Sequence, residues 1–419
     1  MKNNVSFIKN SILLSSSSFL AGLFGYGFQI LIGRSLSVGD YAAFSSVLAV
    51  SVFLVSPINA TVLIYTRKIS IISASGALGS VLKFYKKLLI NLFYASILIL
   101  FIGWLFFKQI YVFLNFKSAY QYYLTILITS ISAVTLINMG VIHGLQQFNR
   151  YAALTVLYPF LKAVFALSFI LLGFELYGAL TGVFIASIVV CIIGFKFIES
   201  ATINSISSDQ KIKQIKYLPI LIASICLTAL TQLDVVIVNK FFDNKEAGIF
   251  AAVSTLGKSI LYVSGGVIAA IYPVIARMSV AYQSTNSLFK IGFASIFLAC
   301  SLGVVMFKFF GAFIITMLFG VSYSEAGNLL WLYSLAIMPM ALTIFCENYM
   351  IAKGSVIFAW LFLVAAPIEI LAIYLFSSSL LNVITIIGIS NSTILISGLM
   401  AMYINFIYSK SKLIDASIQ

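Results

Sequence analysis

One histidine, four cysteines and eleven acidic residues are spread over 419 positions, and each scarcity removes a class of function. His143, alone, cannot build a metal cluster. Cys191, Cys226, Cys300 and Cys346 all sit inside apolar runs, with no pairing or metal-ligand spacing, and read as small packing residues. There is no HExxH, no CxxC, no phosphate-binding GxxxxGK[ST] and no DDxxD-type acidic cluster. No catalytic residue, metal or cofactor is therefore expected. No ATPase domain is present, so energy must come from an ion gradient, the membrane potential or the substrate gradient. Charge itself is scarce. Only 9% of residues are charged, against about 25% in soluble domains. The solvent for most of this chain is lipid, where the backbone must satisfy its own polar groups. Loops long enough to fold as separate domains are also missing, which argues against a membrane polymerase or ligase with an external catalytic loop.

What the chain has is hydrophobic length: 62% of residues are hydrophobic. The apolar runs are continuous, not alternating, which selects helices over barrel strands. Twelve spans are expected, at 11–33, 42–66, 88–107, 120–142, 151–173, 178–198, 218–240, 249–272, 291–309, 326–349, 356–376 and 383–406. The first begins after Lys2 and Lys9 and is too long for a signal peptide, so it is read as an uncleaved span. Phe310–Gly320 is read as interfacial or as an extension of a neighbouring span. The polar stretch Glu199–Lys216 divides the chain into two six-helix halves, 1–208 and 209–419. The fold class is an all-α integral membrane protein of two such lobes. Five of the six prolines, Pro57, Pro159, Pro273, Pro339 and Pro367, fall where they should kink or unwind a span.

The net charge of +14 does not indicate nucleic acid here. With a cytoplasmic N-terminus, seventeen Lys and Arg fall on the inner side and six on the outer, with Lys162 and Lys258 inside spans. That bias places both termini in the cytoplasm. A faint repeat supports two halves. The segment ILIGRSLSVGDYAAFSSV (30–47) returns 206 positions later as VIVNKFFDNKEAGIFAAV (236–253), matching Arg34 to Lys240, Asp40 to Glu246 and Phe44 to Phe250.

Ionisable groups within spans cost about 2.5–3.5 kcal/mol on insertion scales and need a reason. Lys162 follows Pro159 at mid-span. Asp234 and Lys258 stand on consecutive antiparallel spans. They read either as a neutralising pair or, for Lys258, as a cation facing a cavity with Tyr262 one turn away. Glu347 lies near the inner end of its span and is expected to snorkel to the interface. Glu369 at mid-depth must pair (with Lys162 as one candidate), be protonated or bind a cation. Arg67 and Arg277 end spans on the inner side and suit an anionic headgroup. Arg34 borders the outer side. The Ser15–Ser18 run with Ala21, Gly22, Gly25 and Gly27 makes the first span small on its faces, which suits tight packing against a neighbouring helix or, as the alternative, the lining of a cavity.

Several segments resemble one family. LIGRSLSVGDYAAFSSV is similar to the turn between the first two helices of polysaccharide flippases. QLDVVIVNKFFDNKEAGIFAAV, IYPVIAR, LFGVSYSEAGNLLWLYS and GLQQFNRYA resemble later stretches of the same proteins. The resemblance is to Wzx-type O-antigen flippases of the multidrug/oligosaccharidyl-lipid/polysaccharide (MOP) exporter superfamily. It implies two lobes around a cavity and movement of undecaprenyl-diphosphate-linked oligosaccharide from the inner to the outer leaflet of a bacterial inner membrane. It also implies basic residues for the diphosphate: Lys162, Lys258, Arg34, Arg67 and Arg277, with Tyr262 beside them. Asp234, Glu369 and Glu347 then form an ion-coupling or structural set for H⁺ or Na⁺. Partners would be membrane lipids and other polysaccharide-assembly membrane proteins. A cation-coupled drug exporter on the same fold is the alternative.

Overall fold

The computed structural model describes residues 2–74, 78–202, 218–280 and 285–418, so most of the expected 199–216 linker lies outside the described residues. The chain forms two compact units, one of Met1–Tyr217 with Phe242–Gly248, the other of Leu218–Phe241 with Ile249–Gln419.

The first unit contains α1 (Lys2–Ser35), α2 (Val38–Ala74), α3 (Leu78–Leu105), the short α4 (Phe107–Phe113), α5 (Ala119–Gly144), α6 (Phe148–Phe169) and α7 (Glu175–Thr202). The second contains α8 (Leu218–Phe241), most of α9 (Asn244–Gly257), α10 (Ser259–Val280), α11 (Asn286–Phe319), α12 (Ala326–Ala352), α13 (Ile357–Phe376) and α14 (Leu380–Ile418). Eleven helical stretches among the described residues are long and apolar enough to cross a membrane. One of them, Phe148–Ala201, has 54 residues, or about 80 Å of helix against a core of about 30 Å. It is broken where Gly173 (φ 89°) and Glu175 (φ 43°) leave helical geometry. It is therefore long enough to cross twice, and the stretches among the described residues give twelve candidate crossings of a multi-pass membrane protein. Phe310–Phe319 extends α11.

Four helix pairings recur in both units. The first crossing packs on the fifth (α1 on α6, α8 on α13), the second on the fourth (α2 on α5, α10 on α12). The sixth packs on the fourth and the fifth (α7 on α5 and α6, α14 on α12 and α13). Lipid offers no hydrophobic drive between helices, so close backbone approach at small residues supplies the packing. At Gly182 of α7 an added Cβ would stand 2.4 Å from the Cα of Ala166 on α6, and at Gly327 of α12 it would stand 2.5 Å from the Cα of Ala312 on α11. Gly182→Val should cost about 1–3 kcal/mol by overpacking, read as a lower midpoint of thermal unfolding in detergent. An unchanged midpoint would mean that α6 and α7 do not touch there.

The repeated hairpin has a physical basis. Ser37 accepts the Asp40 backbone N–H at 3.1 Å and donates to its carboxylate at 2.7 Å, while Asp243 accepts the Glu246 backbone N–H at 2.7 Å. These are matched N-caps, each with an acidic residue three positions on. Asp40 also pairs with Lys117 at 2.6 Å.

Helical structure continues through Pro57, Pro159, Pro339 and Pro367, while the chain leaves helical geometry at Gly173–Glu175 and turns at Lys258. One expectation is corrected. Gly22, Gly25 and Gly27 have no atom within 4 Å of where a Cβ would stand, so α1 makes no tight packing at these glycines.

Candidate functional site

The second unit buries a charged cluster. Asp234 of α8 is 3% exposed. Its carboxylate accepts hydrogen bonds from Lys258 Nζ at 2.9 Å and Tyr333 Oη at 2.7 Å, with Ser254 Oγ at 3.5 Å. Lys258 stands at the break between α9 and α10. Its own N–H still bonds to Ser254 O at 3.0 Å, but Leu261 N–H reaches back only three residues, to Lys258 O. The lysine side chain reaches Asp234 of α8 from this turn. Gly257 admits Tyr333, because a Cβ there would lie 2.5 Å from the Tyr333 ring. Of the two readings for Lys258, the structure selects the ion pair, with the lysine side chain 13% exposed. Lys258 is thus not a free cation. Tyr262, one turn on, is 66% exposed and stands outside the buried cluster.

Glu369 of α13 is the cluster's second carboxylate, 2% exposed. Ser390 of α14 hydrogen-bonds to it, and Asp234 and Lys258 lie within electrostatic reach. Its Oε2 atom has no hydrogen-bond partner among the described residues. It borders a cavity of about 370 Å³ between α13 and α14 whose polar lining also includes Thr393 and Ser397. Two carboxylates share one ammonium here. A buried set with that imbalance needs a proton or a small cation. Among the described residues no group of three or more His, Cys, Asp or Glu could hold a metal ion.

The first unit holds the other mid-span lysine. Lys162 of α6 is partly buried, with Nζ 4.1 Å from the centroid of the Tyr158 ring one turn earlier. The Tyr158 hydroxyl is fixed by Ser132 Oγ at 3.2 Å and Ser187 Oγ at 3.1 Å. Among the described residues no carboxylate pairs with Lys162. A cation–π contact holds an ammonium but leaves its charge uncompensated.

The remaining predicted residues scatter. Arg34 is exposed in the last turn of α1, where a cation suits the helix dipole. Arg67 is exposed on α2. Arg277 falls on α10, and its side chain lies outside the described residues. Glu347 corrects the snorkelling expectation, since it is 6% exposed and packed inside the second unit. Tyr333, Ser254, Ser390 and Tyr158 complete the two clusters without having been singled out in the sequence. Gly257 beside Lys258 is the one local signal that could have pointed to a close approach there.

No protein-family model matches the chain, and no curated protein sequence matches it. Its likeness is to solved structures. It is similar to the lipid II flippase MurJ in an inward closed conformation (TM-score 0.70, 14% identity, 94% of this chain and 87% of that one). It is also similar to an inward-facing multidrug resistance MATE-family transporter of the MOP superfamily (TM-score 0.71, 15% identity, 96% and 99%). A third is a MOP-superfamily transporter from Pyrococcus furiosus (TM-score 0.62, 15% identity, 95% of each chain). The fold is that of MOP-superfamily transporters.

Proposed function

We propose that this chain is a flippase for an anionic, lipid-linked oligosaccharide, of the undecaprenyl-diphosphate class, driven by a cation gradient. It moves its substrate from the inner to the outer leaflet of a bacterial inner membrane, with both termini cytoplasmic, and catalyses no covalent step. The observation that carries the substrate class is Lys162. It is a cation in the middle of a span, held by Tyr158 and not neutralised by any carboxylate among the described residues. Lipid makes such a charge costly unless an anion visits it. A diphosphate supplies that anion, and the likeness to a lipid II flippase fits a lipid-linked cargo. The polyprenyl tail stays in hydrocarbon while the polar head crosses.

Coupling belongs to the second unit. Asp234 is satisfied by Lys258, Tyr333 and Ser254, which leaves Glu369 as the group that exchanges a proton or small cation. Glu369→Gln keeps the side-chain shape and removes the charge. It should slow gradient-driven transport by roughly tenfold and abolish its dependence on the gradient. Full gradient dependence in that variant would move coupling elsewhere.

The second reading, a cation-coupled drug exporter, draws on the same excess carboxylate beside its cavity. One experiment separates the two. Proteoliposomes are loaded with a fluorescent undecaprenyl-diphosphate oligosaccharide or with ethidium. Gradient-dependent movement of the lipid-linked sugar and not of ethidium is expected. The reverse result would establish the exporter.

A further inference from the structure

We infer that the first unit carries a saccharide-binding cleft at the end of α6, two turns beyond Lys162. The cleft, of about 540 Å³, is lined by Ser118 and Tyr120 at the start of α5, Phe169 at the end of α6, Phe174 in the following turn, and Tyr177 and Thr181 on α7. That volume is in the range of small-ligand sites. Tyr120 and Tyr177 meet edge to face with centroids 5.7 Å apart, as do Phe169 and Phe174 at 6.2 Å. The Tyr120 and Thr181 hydroxyls are 3.0 Å apart. The cleft is built, not incidental. The chain reverses through Gly173 and Glu175, both at positive φ, and folds down on Gly178, where a Cβ would stand 2.8 Å from the Phe174 Cβ and 3.0 Å from the Phe169 carbonyl carbon. Tyr120 and Phe174 nonetheless keep about half their surface open, at 49% and 57%.

The surroundings decide what such a cleft takes. Its lining residues have exposed charged neighbours in the chain: Lys117, paired with Asp40, precedes Ser118, and Glu175 follows Phe174. The 22 residues of α6 span about 33 Å, enough to cross the hydrocarbon core, so its last residue lies at the water boundary. Aromatic side chains commonly line that boundary; here four of them, Tyr120, Phe169, Phe174 and Tyr177, converge on one cavity. A pyranose ring suits them: its C–H face stacks on an aromatic face, and its hydroxyls reach those of Tyr120, Thr181 and Ser118. With the orientation given by the basic residues, the cleft faces the outer side. It would receive the sugars as the headgroup arrives there, and to that extent it rests on the flippase reading.

The test uses the full chain in phospholipid nanodiscs with a panel of free disaccharides containing N-acetylglucosamine, galactose or rhamnose, observed by saturation-transfer NMR. Transfer to sugar ring protons is expected. It should weaken roughly tenfold in Tyr120→Ala and Tyr177→Ala, and survive in Tyr177→Phe, which keeps the ring and controls for folding. Absence of transfer to every sugar, or equal transfer in the alanine variants, overturns the proposal. Phospholipid retained by the parent chain and lost in the alanine variants, without sugar transfer, assigns the cleft to lipid and overturns it too. Transport of the lipid-linked oligosaccharide is measured on the same preparations. Sugar binding without transport removes the flippase reading and leaves the cleft; transport without sugar binding removes the cleft alone.

Discussion

Lys162→Gln is expected to lower transport of the lipid-linked oligosaccharide by roughly 10- to 100-fold, the cost of one charge-assisted hydrogen bond to a phosphate. Lipid-linked repeat units should then accumulate on the inner side. The argument rests on which interactions Lys162 already has. Its ammonium lies on the Tyr158 ring, an interaction of about 0.5–2 kcal/mol. Losing that contact leaves the unit folded, because the helix pairings are set by residues such as Gly182 and Ala166. Lys162→Arg keeps the charge but replaces a point cation with a planar fork. It should retain more transport than the glutamine variant and less than the parent chain. Tyr158→Phe removes the hydroxyl that Ser132 and Ser187 hold, and should give an intermediate defect. Undiminished transport by the glutamine variant, with normal surface polysaccharide, would remove Lys162 from the substrate path.

The second large effect concerns stability. Asp234→Asn leaves the Lys258 ammonium in the interior without its carboxylate. Lys258→Met leaves the Asp234 carboxylate with only the Tyr333 and Ser254 hydroxyls. Breaking a buried pair from either side costs about 3–5 kcal/mol. The double variant strands no charge, so it should be more stable than either single one. Thermal unfolding of the four proteins in detergent gives the coupling directly. A fall in the double variant equal to the sum of the singles would mean that the two charges act independently, contrary to a 2.9 Å contact. The singles should also lose gradient-driven transport, since Glu369 sits within electrostatic reach of both residues.

The sequence by itself determined the solvent and the element type. Apolar runs of about twenty residues leave the backbone no choice but helix. The matched caps at Ser37 and Asp243 were also legible in principle, as an acidic residue following each cap at a fixed spacing. Tertiary structure alone decided which charges are spent and which remain. Asp234, Lys258, Tyr333 and Glu369 come from four crossings spread over 136 positions, from 234 to 369, and no spacing in the chain announces their meeting. Helix rotation and a break at Lys258 settle it. The same holds for Glu347. Its place near a helix end reads as a path to the interface, yet packing closes over it. The chain departs from helical geometry at Gly173, where glycine admits positive φ, and at Lys258, where a carboxylate holds the side chain. A lone lysine looks alike in sequence whether paired or not; only the distance to a carboxylate separates Lys258 from Lys162.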